Sequence, residues 1–152
     1  MPSVFEKLNL KNQKQIVVLN APESFESELG ALRGVTVVRD ARAPKEIEFS
    51  LAFVTQQKEI DAIVKSIAQK AAGDAIVWFA YPKGSSKKYR CDFNRDSGWE
   101  PLGKAGFEPV RMVAIDEDWS ALRFRRAEFI KTMTRPAEHR LSAQGKTRKR
   151  PQ

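Results

Sequence analysis

The stretch Ala75-Ile76-Val77-Trp78-Phe79-Ala80-Tyr81 is the longest wholly apolar run in the chain. A half-buried strand would alternate polar and apolar residues, and an amphipathic helix would present a polar residue within each turn. The run is also far short of the roughly 20 residues that cross a bilayer. It therefore predicts a strand covered on both faces, central in a parallel sheet between two layers of helices. Pro82 ends it, because proline cannot donate to a ladder.

The segments around it supply those layers. Ile16-Val17-Val18-Leu19 is a compact run of strand length, rich in β-branched residues. Asn20 is the expected N-cap of the next helix, with Pro22 in its first turn and Glu23 completing a capping box. Phe25, Leu29 and Leu32 form its apolar stripe, and Gly34 its stop. Val35 to Val38 reads as a second strand. A polar connection broken by Pro44 leads to a third strand, Phe49 to Thr55. Thr55 is the expected cap of a helix carrying Ile60, Ile63, Val64 and Ile67, which Gly73 would end.

After the apolar run comes a polar connection over residues 84–98, with a candidate short strand at Tyr89 to Phe93. Ser97 and Glu100 form a second capping-box pattern, opening a helix with Trp99 and Leu102 that Gly106 ends. Val110 to Ile115 and Leu122 to Arg126 flank the turn Asp116-Glu117-Asp118 and read as a hairpin. Short helices are expected at residues 3–10 and from Phe129. Trp78, Trp99 and Trp119 are expected in the core. Arg123 and Arg125, with Phe124 on the opposite face, read as a solvated edge that discourages strand pairing. The expected fold class is α/β: a three-layer, Rossmann-like, mostly parallel sheet of about six strands ending in an antiparallel hairpin. One domain is expected over 1–134, followed by a basic tail over 135–152 without apolar periodicity.

Three segments carry a resemblance: Val17 to Phe25, Ile76 to Lys83, and Asp116 to Phe124. With them, the order of elements is similar to the Rossmann-like core of S-adenosylmethionine-dependent methyltransferases with its middle shortened. More closely, the chain resembles an uncharacterised bacterial family of small proteins built on that reduced core. The resemblance covers residues 16–126 and implies the fold more than an activity.

Several chemistries lack their parts. Cys91 is the single cysteine and His139 the single histidine, the latter in the tail, so a disulfide framework, a His/Cys metal cage and a buried Ser-His-Asp triad within the body are excluded. Relatives that bind a nucleotide-type cofactor place a glycine-rich turn after the first strand. Here that turn is Leu19-Asn20-Ala21-Pro22-Glu23, with no glycine, one missing N–H and an acid at the helix start. No cofactor is therefore expected. The alternative is a small-ligand binder or methyltransferase-like enzyme with a divergent S-adenosylmethionine pocket at Asn20, Asp40 and Thr55. Asp40 lies where such folds place a ribose-binding carboxylate; its plain reading is a polar residue ending a strand.

The best candidate site is the loop after the central strand. Lys83, Ser85, Ser86, Lys87 and Lys88 leave the carboxyl end of that strand with charges and hydroxyls suited to a phosphate or carboxylate. The tail is the second feature. Six basic residues stand there against Glu138 alone, a net +5 of the chain's +8. Arg140, Lys146, Arg148, Lys149 and Arg150 could bind nucleic acid or another acidic partner without sequence preference. Met1 to Lys7 holds no apolar signal region, so a cytoplasmic location is expected. The function expected is a non-catalytic binding domain that meets an acidic partner through its tail and the Lys83–Lys88 loop.

Overall fold

The computed structural model describes residues 4–93 and 97–130. Its strands are β1 (Gln15–Leu19), β2 (Thr36–Val38), β3 (Ile47–Phe53), β4 (Ala71–Pro82), β5 (Phe107–Ala114) and β6 (Trp119–Arg126). Its helices are α1 (Val4–Lys7), α2 (Glu26–Gly30), α3 (Gln57–Ile67) and α4 (Glu100–Lys104), with 3-10 turns at Glu23–Phe25 and Ala127–Phe129. One six-stranded sheet runs in the order β2-β1-β3-β4-β6-β5. The pairs among β2, β1, β3 and β4 are parallel, while β4–β6 and β6–β5 are antiparallel. Only β6 therefore opposes the other strands. The expected hairpin and mostly parallel sheet are both present.

The apolar run lies inside β4, flanked by β3 and β6. Alternate side chains enter two cores. Val77, Phe79 and Tyr81 meet Ile60, Val64 and Ile67 of α3 and Leu102 of α4. Ile76, Trp78 and Ala80 meet Val4, Phe5 and Leu8 at α1 and Phe25 and Leu29 at α2. These are the predicted layers, and burial of both sides is why no polar residue interrupts the run. Trp78, Trp99 and Trp119 are each at most 3% exposed. Among the described residues no helix is long and apolar enough to cross a membrane.

Several local expectations are corrected. Asn20 does not cap a helix: it adopts a left-handed conformation (φ 59°) as the chain leaves β1, and α2 begins only at Glu26, after a 3-10 turn with no side-chain cap. Asn is among the few residues other than Gly that visit that conformation, and here its Nδ2 donates to the Phe53 carbonyl of β3 at 3.4 Å. Gln56, not Thr55, caps α3, in a box with Glu59. β3 ends at Phe53, short of Thr55.

Gly73 does not stop α3. It lies within β4 at φ 53°, where the β3–β4 register slips between Ile47 and Phe49. Tyr89 to Phe93 forms no strand, and α4 starts from Trp99 without a side-chain cap, so Ser97 opens no capping box. β6 is not an edge: it lies between β4 and β5. The solvated-edge reading of Arg123 and Arg125 fails for that reason.

Candidate functional site

β1 and β3 lie side by side, yet the chain visits β2 on one flank of β1 before returning to the other. In open α/β sheets ligands bind beyond the carboxyl ends of strands, close to such a reversal. Among the described residues two hollows occur on that side of the sheet.

The larger, about 580 Å³, lies at the end of β4. Its frame is a loop fastened at both ends. Tyr81 and Pro82 pair with Ser120 and Trp119, which fixes the end of β4 against the start of β6. The Lys83 N–H donates to the Asp118 carbonyl at 2.8 Å. Ser86 donates its hydroxyl to Asp118 Oδ1 at 2.8 Å and accepts the Tyr89 N–H at 3.1 Å. Asp118 is itself held in a turn, because Asp116 Oδ1 accepts the N–H groups of Asp118 and Trp119. At the far end of the loop, the Asp92 N–H donates to the Thr55 carbonyl, and Asp92 Oδ1 accepts the Gln57 N–H at 2.8 Å at the start of α3. Asp92 therefore serves the loop and the helix start.

One wall of this cleft is aromatic. Tyr81, Phe93 and Trp99 pack together with ring centroids 5.2–6.1 Å apart. Gly98 permits that packing: it has φ 95°, and a Cβ there would lie 2.7 Å from Phe93 Cβ. The Tyr81 hydroxyl meets Met112 Sδ at 3.3 Å, which brings β5 into the lining. Cys91 is half-buried, and its thiol donates to the Phe93 carbonyl at 2.9 Å. Among the described lining residues the charged ones are Lys83 and Arg90, with no carboxylate. A cleft lined by charge of one sign, here positive, favours an anion. Of the expected loop residues, Lys83 and Ser86 line the cleft, whereas Ser85, Lys87 and Lys88 are exposed and do not. Tyr89, Arg90, Met112 and Ser120 join them.

The smaller hollow, about 220 Å³, lies at the reversal itself. It brings Asn20 and Asp40 together, with Ile63 and Ser66 of α3 opposite, but it excludes Thr55. The Thr55 hydroxyl instead donates to Glu59 Oε1 at 3.2 Å. Asp40 Oδ1 accepts the Arg42 N–H at 2.9 Å, and this backbone bond, ahead of the nearby cations, holds the Asp40 carboxyl below its ordinary range.

The methyl donor implied by the resemblance does not fit these residues. Small-molecule pockets run to roughly 300–1,000 Å³, more than this hollow offers. Asn20 and Asp40 are engaged with the protein, and Pro22 brings no N–H to the corner. Phe25 packs on Phe53 at 4.9 Å, and Phe53 on Trp119 at 5.1 Å, closing the other side of the β3 end.

Among the described residues no group of three or more His, Cys, Asp or Glu could hold a metal. The tail residues Arg140, Lys146, Arg148, Lys149 and Arg150 lie outside the described residues.

No family model matches the chain. No curated protein matches it in sequence. Solved structures are similar in fold. A SAM-dependent methyltransferase from Aquifex aeolicus aligns at TM-score 0.54 and 15% identity, over 82% of this chain and 88% of that one. Magnesium protoporphyrin IX methyltransferase (ChlM) from Synechocystis PCC 6803 with bound SAM aligns at 0.52 and 12%, over 82% and 74%. The pyocyanin biosynthetic protein PhzM aligns at 0.55 and 14%, over 82% of this chain but 54% of its own length, so this chain spans about half of it. Identities this low carry the architecture alone. The chain has the Rossmann-like α/β fold of S-adenosylmethionine-dependent methyltransferases: a six-stranded, mostly parallel sheet with an antiparallel β4–β6–β5 part.

Proposed function

We propose that this chain is a small-ligand-binding domain of methyltransferase-like fold that takes an anionic ligand in the cleft at the carboxyl end of β4. One observation carries the reading: the larger hollow lies beyond the central strand, where such sheets bind ligands, and its described charges are two cations without a carboxylate. Lys83 and Arg90 hold the anionic group, the Ser120 hydroxyl orients it, and the Tyr81 and Phe93 rings receive an apolar portion. The volume is within the range of small-molecule sites. The tight Asn20–Pro22 corner supports this cleft over the smaller hollow as the place of binding.

The test is a thermal-shift series on the full chain with inorganic phosphate, pyrophosphate, adenosine monophosphate and S-adenosylmethionine. A ligand at 100 times its Kd stabilises the folded state by about 2.7 kcal/mol. At least one phosphate-bearing probe is expected to raise the midpoint, and K83Q/R90Q to abolish the rise. No shift at millimolar probe, or a shift that survives K83Q/R90Q, refutes the proposal. A rise with S-adenosylmethionine alone, unaffected by that variant, moves the site to Asn20 and Asp40.

A further inference from the structure

Because β6 lies inside the sheet, Arg123 and Arg125 occupy a sheet face. Arg123 and Arg125 follow Trp119 and Ala121 at alternate positions, on the side of the α1/α2 core. On β5, Arg111 is the direct cross-strand partner of Arg123, so both side chains leave the same face. Like charges directly opposite one another in a ladder are destabilising.

The neighbouring cations show how this fold ordinarily satisfies a guanidinium. Arg125 grips Asp74 in two contacts, from Nε at 2.8 Å and Nη2 at 2.6 Å. Arg126 lies over the Phe107 ring at 4.8 Å and donates to the carbonyls of Ala68 and Ala71. The Arg111–Arg123 pair has neither outlet. Asp74 is taken, and Glu108, opposite Arg125, is buried at 3% exposure. Arg111 is exposed and makes no hydrogen bond or ion pair among the described residues, while Nε of Arg123 is buried without a partner. Burial first, then the charges of Arg125 and Arg111, work against the charged form of Arg123, with Asp74 in part offsetting them.

Two adjacent guanidinium groups with free donors match the oxygens of a phosphodiester, which they can take in forked, charge-assisted bonds. A polymer of phosphates fits better than a single one. Arg111 stands on an exposed edge strand, and the chain continues past β6 into a sequence with five further cations from Arg140 to Arg150. We infer that Arg111 and Arg123 form a contact for the phosphate backbone of nucleic acid on the α1/α2 face of the sheet. It is separate from the anion cleft, which opens beside Tyr81 and Phe93 of the α3/α4 core.

The experiment is a fluorescence-anisotropy titration of the full chain against a mixed-sequence DNA duplex at several salt concentrations. Each phosphate neutralised contributes about 0.9 to the slope of log K against log salt. R111Q/R123Q is expected to make the slope shallower by about 1.8, and R111Q alone, at an exposed position, by about 0.9. K58Q/K65Q removes the same charge from exposed positions of α3, on the opposite face, and is expected to leave the slope nearly unchanged. Circular dichroism confirms that each variant is folded. An unchanged slope in R111Q and R111Q/R123Q overturns the inference, as does an equal fall in K58Q/K65Q. Absence of duplex binding by the unaltered chain at 50 mM salt overturns it too, even where pyrophosphate binds.

Discussion

Trp78→Phe tests how the central strand is tied to the start of the chain. Trp78 is 1% exposed, and its Nε1 donates to the Leu8 carbonyl at 2.8 Å, across 70 residues of sequence. Leu8 is fully buried, so no water can replace the lost donor. An unsatisfied buried carbonyl costs about 1–3 kcal/mol. The missing part of the indole removes apolar burial and leaves a small void, adding about 1–2 kcal/mol. The sum is about 2–5 kcal/mol, or a midpoint lower by roughly 6–15 °C for a domain of this size. Urea unfolding measures the loss, with an unchanged m-value confirming that the folded state stays compact. Hydrogen exchange locates it: the Leu8 and Leu10 amides, bonded to Val4 and Phe5, should lose more protection than the β5–β6 hairpin. A loss below about 1 kcal/mol, or uniform deprotection, refutes the reasoning.

Gly98→Ala is expected to cost about 1–3 kcal/mol in unfolding free energy from backbone strain alone, with a changed tryptophan emission as Phe93 is pushed from Trp99; unaltered stability would refute the packing argument. Ser86→Ala leaves the Tyr89 N–H without its acceptor, costing about 0.5–1.5 kcal/mol and speeding exchange at that amide. Glu26 is held below its ordinary carboxyl range chiefly by the hydrogen bond from Arg39, so its stabilising contribution is present at neutral pH and lost as the pH falls below that range. R39Q should therefore lower the thermal midpoint slightly at pH 7 and not at pH 3, the effect being small because both groups are exposed. Neutralising Lys146, Arg148, Lys149 and Arg150 together should lower the duplex salt slope by up to about 3.6, and no change in slope would remove the tail from the interface.

The layers of the fold were readable because burial on both sides leaves a strand without polar positions, as in Ala75 to Tyr81. The hairpin was readable because its turn is local. What escaped the sequence is non-local. Nothing in Leu122 to Arg126 states that β4, rather than water, lies on its open flank. That partner turns a supposed edge into an interior strand and two arginines into a face.

The Asn20 corner misled for a local reason. Asn suits both a helix cap and a left-handed turn, and the Phe53 carbonyl, 33 residues away, favours the second. Ser97 failed as a cap because α4 opens from Trp99, whose ring the core requires. At the cleft, the loop's charges, hydroxyls and strand-end position pointed to Lys83 and Ser86, which line it. Met112 and Ser120 come from later strands, and only the antiparallel register carries them there.

β5 ends the sheet with Val110 and Met112 about half open to solvent. Its pairing with β6 slips between Pro109 and Arg111, and proline at 109 withholds a backbone donor. A straight, fully donating rim with those apolar side chains would invite a second molecule to zip on and lengthen the sheet. The kink denies a second molecule a matching template, which is expected to oppose pairing along this border. Pro109→Thr should bring about concentration-dependent association in sedimentation, and a variant that stays monomeric would show that the kink has no such guarding role.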